Sequence, residues 1–549
     1  MATEQWQDTA RRHQAIRDAA IPQEWQLANP PSDQVANVMS IPYTCGLFTT
    51  QELAWTDKDA TELLELLAAG KIKSYDLTLA FCKRASLAQQ LLNCLVETWF
   101  DEALARAQEL DEILARTGQP VGPYHGLPFS IKTTFAVKGK NASSCYVAWA
   151  DHRAESDAPV VHILRNAGAV FFCKTTNPQT VMHLETVSNL YGRTLNPYNR
   201  RLTPGGSSGG EAALVAFGGS PIGLAADGGG SIRSPAANNG LFGMKCTPDR
   251  VPIVRSIVSM RGCKSYPVVA GPVTRTARDT DFFMRVVMAA EPWRAEPSLV
   301  PLPWRPVAIP AKIKIGVYMD DGVVKPHPPI TSALERLKIK LREHPNFQLI
   351  EWTPYKHGDG YDLIRQLFWE DGAVETRKIM TDGGEPLLPL TEWVMKHPHI
   401  QPRTLKESWE LHYQKDVFQK EYLQHWLSAP DVPDFIVGPV GPSAAPRHET
   451  SRYWGYTAIF NLLDYPACSF PTGLSCSPEL HPADAEYTPM ENEFDTYNWR
   501  TYDAKIFENA PISLQIAGRK WECEGVLRGA HLMTELFGVD RTPSSDPRK

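Results

Sequence analysis

The sequence predicts an α/β protein in which buried strands alternate with helices. Three observations carry that reading. Apolar residues recur at helical spacing between 57 and 114, and short β-branched and aromatic runs set apart by Gly, Ser and Pro fill 121–250. A strand-then-helix pattern then restarts after a proline-rich stretch at 296–310.

The first 56 residues are a Trp- and Pro-containing lead-in, with IPQEW at 21–25 and a polar stretch at 28–36, and are expected to form an arm on a body spanning 57–549. From Asp57 onward Leu63, Leu64, Leu66 and Leu67 make an apolar helical stripe, and Gly70 sits where a C-terminal cap belongs. Ser74 is expected to cap a second helix carrying Leu77, Leu79, Phe81 and Cys82. A third is expected over 101–114, with Ala and Leu at i, i+3 and i+4. GAVFFCKT at 168–175 reads as a buried strand. EPSLVPLPWRPVAIP at 296–310 is stiff enough to be a crossing connection between two halves. A strand at 313–317 and a helix after Pro329, with Ala333, Leu334 and Leu337, open the second half. The acidic, polar text at 478–510 is expected to be a surface insertion, and no repeat period is visible.

Composition narrows the function. Of 549 residues 43% are hydrophobic and 21% charged, which excludes disorder as the global state. Lys plus Arg total 56 against 62 for Asp plus Glu, a net charge of −6, so there is no basic surplus for nucleic acid. No run approaches the roughly 20 apolar residues of a membrane span. The N-terminus MATEQWQDTARRHQAIRDAA is too polar for a signal-peptide core, and the tail SSDPRK carries neither a prenylation nor a peroxisomal signal. A soluble, cytoplasmic protein without a transmembrane segment is expected. Ten cysteines without a C-x-x-C pair fit reduced, buried thiols, and the 15 histidines contain no H-E-x-x-H, so no metal is expected.

The densest special segment is TPGGSSGGEAALVAFGGSPIGLAADGGGSIR at 203–233. Glycines beside serines point to exposed N–H groups around a reactive hydroxyl, which is how an oxyanion hole is built. No Lys follows either glycine cluster in phosphate-loop spacing, and G-x-G-x-x-G after a strand is absent, so nucleotide binding is not indicated. A hydroxyl needs a base, and no His lies in the segment. GGSSG at 205–209 fits G-x-S-x-G in form, so an α/β-hydrolase triad on Ser207 with a distant acid and His is one alternative. The other is a lysine kept neutral by burial. Lys132, at the end of the apolar run Leu127, Phe129, Ile131, stands where a solvated lysine gains nothing, although taken alone a snorkelling strand-end lysine is the favoured explanation.

HGLPFSIK around Lys132, PGGSSGGEAALVA at 204–216 and DGGGSIRSPA at 227–236 together resemble the amidase signature family. The likeness continues through LRNAGAVFFCKT, GPVTRTARD, DGVVKPHPPI and APISLQIAGRKWE, and the N-terminal arm is closest to the fungal acetamidase and general amidase branch. The resemblance implies a mixed, twisted central sheet flanked by helices on both faces, and a Ser-cisSer-Lys triad. Ser231 matches the nucleophile, Ser207 the bridging serine whose preceding peptide is cis, and Lys132 the base; the 24-residue gap from 207 to 231 selects Ser207 over its neighbour Ser208, which supports it. Asp227 and Arg233 match braces of the loop. The N–H groups of Gly228, Gly229, Gly230 and Ser231 match the oxyanion hole. The implied activity is hydrolysis of a small-molecule carboxylic amide to an acid and ammonia or an amine, through an acyl-enzyme and with no cofactor. The oligomeric state stays open, with a homodimer compatible.

Six positions depart from the family pattern. Thr133 stands where an acidic residue commonly follows the lysine, Ala225, Ala226 and Gly228 replace Gly, Thr and Ile around Asp227, and Cys246 and Asp249 replace Pro and Gly in a K-P-T-x-G-R motif whose Lys245, Thr247 and Arg250 remain. Gly228 is expected to loosen the oxyanion loop and to leave room for a bulkier substrate. The rival functions are an amide-forming acyltransferase using the same triad, a subunit like the glutamyl-tRNA amidotransferase A chain, and a non-catalytic binding protein with a vestigial site. Trp454 and Tyr456 resemble an acyl-pocket segment but fit core aromatics better, His448 reads as a polar loop residue, and Glu211 as a first-turn partner of a helix dipole.

Overall fold

The computed structural model describes residues 5–308 and 310–539; the tail SSDPRK at 544–549 lies outside the described residues. The strands are β1 (Leu95–Thr98), β2 (Pro128–Lys132), β3 (Val170–Thr175), β4 (Val187–Ser188), β5 (Gly192–Arg193), β6 (Ile222–Asp227), β7 (Phe242–Lys245), β8 (Val269–Thr274), β9 (Ile313–Val317), β10 (Phe347–Glu351), β11 (Phe435–Pro439), β12 (Ala467–Ser475) and β13 (Pro511–Ala517). Eleven of them form one mixed sheet in the order β1-β3-β2-β6-β8-β7-β12-β13-β11-β9-β10, flanked by helices, while β4 and β5 pair separately.

The order explains where a site can form. β2 runs parallel to β3 on one side and to β6 on the other, with Lys132 opposite Thr175 and Ile131 opposite Leu224. The carboxyl ends of three neighbouring strands, Thr175, Lys132 and Asp227, therefore lie along one edge, the side of a parallel sheet where ligands bind. All five residues of β2 are buried, as expected of an interior parallel strand covered on both faces. Phe129 packs edge-on to Tyr124 and Phe171, at centroid distances of 5.6 and 5.9 Å.

The early helices follow the apolar stripes, with one correction. Asp59, accepting from the Glu62 N–H, starts Ala60–Ala68, and Gly70 follows it with φ +64°. Ser74 does not cap the second helix, Ser74–Leu92: its hydroxyl donates to the Gly126 carbonyl at 2.9 Å, and the N–H groups of Ser74 and Tyr75 go to the Asp111 carboxylate. A carboxylate supplied by the next helix has displaced the local cap, because the Ser74 side chain is buried and spoken for. The third helix, Phe100–Thr117, ends at left-handed Gly118. In the lead-in, the helix Trp6–Ala19 is held by Arg17, bonded to Asn93 Oδ1 at 2.9 Å, and by Gln14 on the Leu190 carbonyl. The proline-rich stretch carries the chain from β8 to β9, five places away in the sheet. The 478–510 stretch contains a helix, Glu493–Arg500, whose buried Asp495 accepts from the N–H groups of Lys325 and Met490.

One buried ion pair ties the loop after β7 to the helix Cys523–Phe537: Arg250 Nη2 lies 3.1 Å from Glu524 Oε1, with side chains 0% and 3% exposed. The same guanidinium donates to the carbonyls of Leu302 and Pro303. Removing one member leaves the other charge buried, so Arg250→Met is expected to cost about 3–5 kcal/mol in equilibrium denaturation, while the double change with Glu524→Leu recovers part of it. A single-variant loss below about 1 kcal/mol would show the pair to be dispensable.

Candidate active site

Two loops meet at the strand edge. The first, 203–208, enters the helix Gly209–Ala216 and is pinned by side chains from elsewhere: the Thr186 hydroxyl donates to the Gly205 carbonyl and accepts from the Gly209 N–H, and Asn239 Nδ2 donates to the Pro204 carbonyl. The second, 228–232, leaves β6 and enters the short helix Arg233–Asn238. The loops abut through the Ser208 N–H, which donates to the Ser231 carbonyl at 3.2 Å. The peptide between Gly206 and Ser207 is cis. From residue 202 to 248 every residue is buried except Gly229 and Ser231, so the segment meets the outside at the apex of the second loop.

Lys132 and Ser207 are brought into direct contact: Lys132 Nζ donates to Ser207 Oγ at 2.7 Å, and both residues are 1% exposed. Burial lowers the lysine to about 7, against the opposing pull of the Asp227 carboxylate and, more weakly, of Cys145 and Glu211. Loss of hydration penalises the ammonium, so near neutrality a large share of Lys132 is a free amine. Glu211 is also buried, which pushes it up to about 7 although the hydroxyls of Ser130 and Thr175 donate to its two oxygens. Its carboxyl thus faces the sheet through β2 and β3.

Asp227 organises the second loop. Burial pushes its carboxyl up, but the Arg233 guanidinium and the donors around it win and hold it below the usual carboxylate range. Oδ1 accepts from the Gly230 N–H at 2.8 Å, from Asn461 Nδ2 at 3.0 Å and from Arg233 Nη2 at 3.2 Å. Oδ2 accepts from Arg233 Nε at 3.1 Å and from the N–H groups of Ile232 and Arg233. Arg233 extends the network to Gln515 Oε1 at 3.1 Å and Asn461 Oδ1 at 2.6 Å. The four N–H groups expected to line an oxyanion hole are therefore not equivalent. That of Gly230 is engaged by Asp227, which leaves Gly228, Gly229 and Ser231 as the candidates.

Two of the departures, Gly228 and Asp249, acquire physical explanations. A Cβ on Gly228 would lie 3.1 Å from Val268 Cγ2 and 3.3 Å from Tyr266 Cε2, so the space left by the missing side chain is filled, and the expected room for a bulkier substrate is not there. Phe368 sits equally close beyond Gly229 and packs edge-on to Tyr266 at 4.9 Å. Asp249 has φ +62°, a conformation in which glycine is at ease. Cys246 is buried with its sulfur 3.6 Å from that of Met284. Thr133 is buried with its hydroxyl unpartnered.

Trp454 lines a narrow cleft with Tyr361, Phe368, Trp369 and Trp393, whereas Tyr456 is core, its hydroxyl donating to the Val324 carbonyl. His448 bonds Glu185 and the Arg200 carbonyl. Sequence reasoning missed Asn461 and Gln515; Gln515 lies inside APISLQIAGRKWE, but ordinary amides more than 200 residues from Asp227 and Arg233 carry no local signal.

Comparison with known proteins identifies the family. A family model described as Amidase matches residues 76–527. An acetamidase of Emericella nidulans is 38% identical over 550 residues, covering 98% of this chain and 99% of that protein. An acetamidase of Aspergillus oryzae is 39% identical over 550 residues, covering 98% and 100%. A solved structure of a fatty acid amide hydrolase aligns with a TM-score of 0.94 at 33% identity, covering 98% of this chain and 96% of that one. With sequence and fold matched over almost their whole length, this chain belongs to the amidase signature family and is an amide-hydrolysing enzyme.

Proposed function

We propose that the enzyme cleaves its amide through an acyl-enzyme on Ser231, with Ser207 relaying protons between Ser231 and Lys132. The observation that carries the reading is the 2.7 Å contact between a desolvated Lys132 amine and Ser207 Oγ. Neutral Lys132 takes the Ser207 proton as Ser207 takes that of Ser231, and Ser231 Oγ attacks the amide carbonyl carbon. The developing oxyanion is met by the N–H groups of Gly228, Gly229 and Ser231, each worth about 2.7–4 kcal/mol of barrier. Ser207 passes a proton to the leaving nitrogen as the C–N bond breaks. Water then attacks the ester by the same route, and the carboxylic acid leaves. Asp227 and Arg233 act by holding the loop.

The packing of Tyr266, Val268 and Phe368 against Gly228 and Gly229 favours compact acyl groups, in keeping with the small substrate that names the acetamidase relatives. Profiling amides from acetamide to aryl and long-chain fatty amides is expected to give falling kcat/KM with acyl length; a maximum at the fatty amides overturns this specificity.

Ser231→Ala is expected to abolish turnover across the panel and labelling by a fluorophosphonate; wild-type rates in that variant sink the assignment. Lys132→Ala is expected to lower kcat about 10²- to 10⁴-fold with the fold intact by circular dichroism. Because the base works only as the free amine, activity rises as pH climbs through about 7 and is flat above it. The residual activity of Lys132→Ala is expected to lack that rise; an unchanged midpoint would assign it to another group.

A further inference from the structure

Three consecutive glycines, 228–230, lead into Ser231 in the loop of the candidate oxyanion donors Gly228, Gly229 and Ser231, and glycine has too little conformational preference to hold N–H groups in one direction unaided. We propose that Thr457 is a positioning residue for that loop, an inference that rests on the acyl-enzyme reading above.

Thr457 lies in the first turn of the helix Gly455–Leu462 and is fully buried. Its hydroxyl donates to the Gly229 carbonyl at 2.7 Å; the Trp454 carbonyl, one turn back, is farther at 3.2 Å, so the loop contact is the shorter of the two open to its single proton. The Gly229 carbonyl and the Gly230 N–H belong to one peptide unit, and the other end of that unit is held by Asp227 Oδ1 at 2.8 Å. A peptide is planar, so anchoring both ends fixes the orientation of the whole unit. The flanking donors, Gly229 N–H before it and Ser231 N–H after it, then have only the backbone rotations at Gly229 and Gly230 left. The approach is close enough to dictate the residue type: Gly230 has φ +129°, and a Cβ there would fall 2.3 Å from Thr457 Oγ1.

The same helix holds the loop from a second point. Asn461, four residues on and so on the same helical face, donates to Asp227 Oδ1 at 3.0 Å. One face of Gly455–Leu462 thus buttresses both ends of the Gly229–Gly230 peptide, directly through Thr457 and by way of Asp227 through Asn461. The Thr457 hydroxyl bonds go to the Gly229 and Trp454 carbonyls and to neither Lys132 nor Ser207, so its effect is expected on stabilisation of the oxyanion and not on the titration of the base.

The test compares Thr457→Ser, Thr457→Val and Thr457→Ala with wild type in three readouts: kcat and KM for the best amide of the panel, the fluorophosphonate labelling rate of Ser231, and the pH midpoint. Thr457→Val keeps the shape and loses the hydroxyl, and is expected to lower kcat and the labelling rate together by about 10- to 100-fold with KM within about twofold. Thr457→Ser, which keeps the hydroxyl, is expected to stay within about threefold of wild type, and the pH midpoint to remain near 7 in all variants. If Thr457→Val does not fold, Ser against Ala isolates the hydroxyl and is expected to show the same separation. Wild-type labelling in Thr457→Val, an effect on KM alone, or a Ser variant no better than Ala overturns the inference while leaving the acyl-enzyme reading standing. Absence of Ser231 labelling in the wild type overturns both.

Discussion

The structure depends above all on one buried carboxylate. Asp227 closes β6 and turns the chain, gathering three loop N–H groups, the Arg233 guanidinium and the Asn461 amide around its two oxygens. An isolated charge in such a place would be prohibitive, and it is tolerated because a paired cation and a full set of donors replace the lost water. The same network joins the halves of the sheet, since Arg233 reaches Gln515 on β13, which in turn donates to the carbonyls of Pro439 and Tyr456.

A second consequence concerns the lysine. An interior parallel strand forces its last residue into a dry position, and Lys132 loses its hydration without gaining a contacting carboxylate. Asp227 is near enough to favour the ammonium but is committed to Arg233, so burial outweighs it and the amine titrates near 7. Burial sets the base's strength, with Asp227 in its ion pair as the largest opposing influence, and sheet topology places both groups along one edge.

Much of this was legible in the chain. Lys132 stood out because it ends an apolar run, and the resemblance of the two glycine-serine clusters to the family's motifs pointed to Ser207 and Ser231; the strands at 170–175 and 313–317 followed from their β-branched and aromatic content. Illegible features share one cause, a partner remote in sequence. Ser74 looks like a cap by local rules, yet Asp111 took the capping role and the Gly126 carbonyl took the hydroxyl. Gly228 looked like a gap until Tyr266 and Val268 were found in it. Asn461, Gln515 and Thr457 are common residue types whose importance comes only from what they face.

The sequence by itself determined the chemistry available: a lysine at the end of a buried strand, hydroxyls in glycine-rich loops and a backbone rich in free N–H groups, because residue type and short-range spacing decide which groups can react and which segments must be buried. Only the tertiary structure decided which of those N–H groups remain open, how far the lysine is desolvated and how much space lies beside the loop. Those quantities depend on contacts at every range, from Asp227 on the nearby Gly230 to Asn461 and Gln515 more than 200 positions from the groups they hold, and on the dielectric and packing that arise only when the two halves of the sheet close on each other.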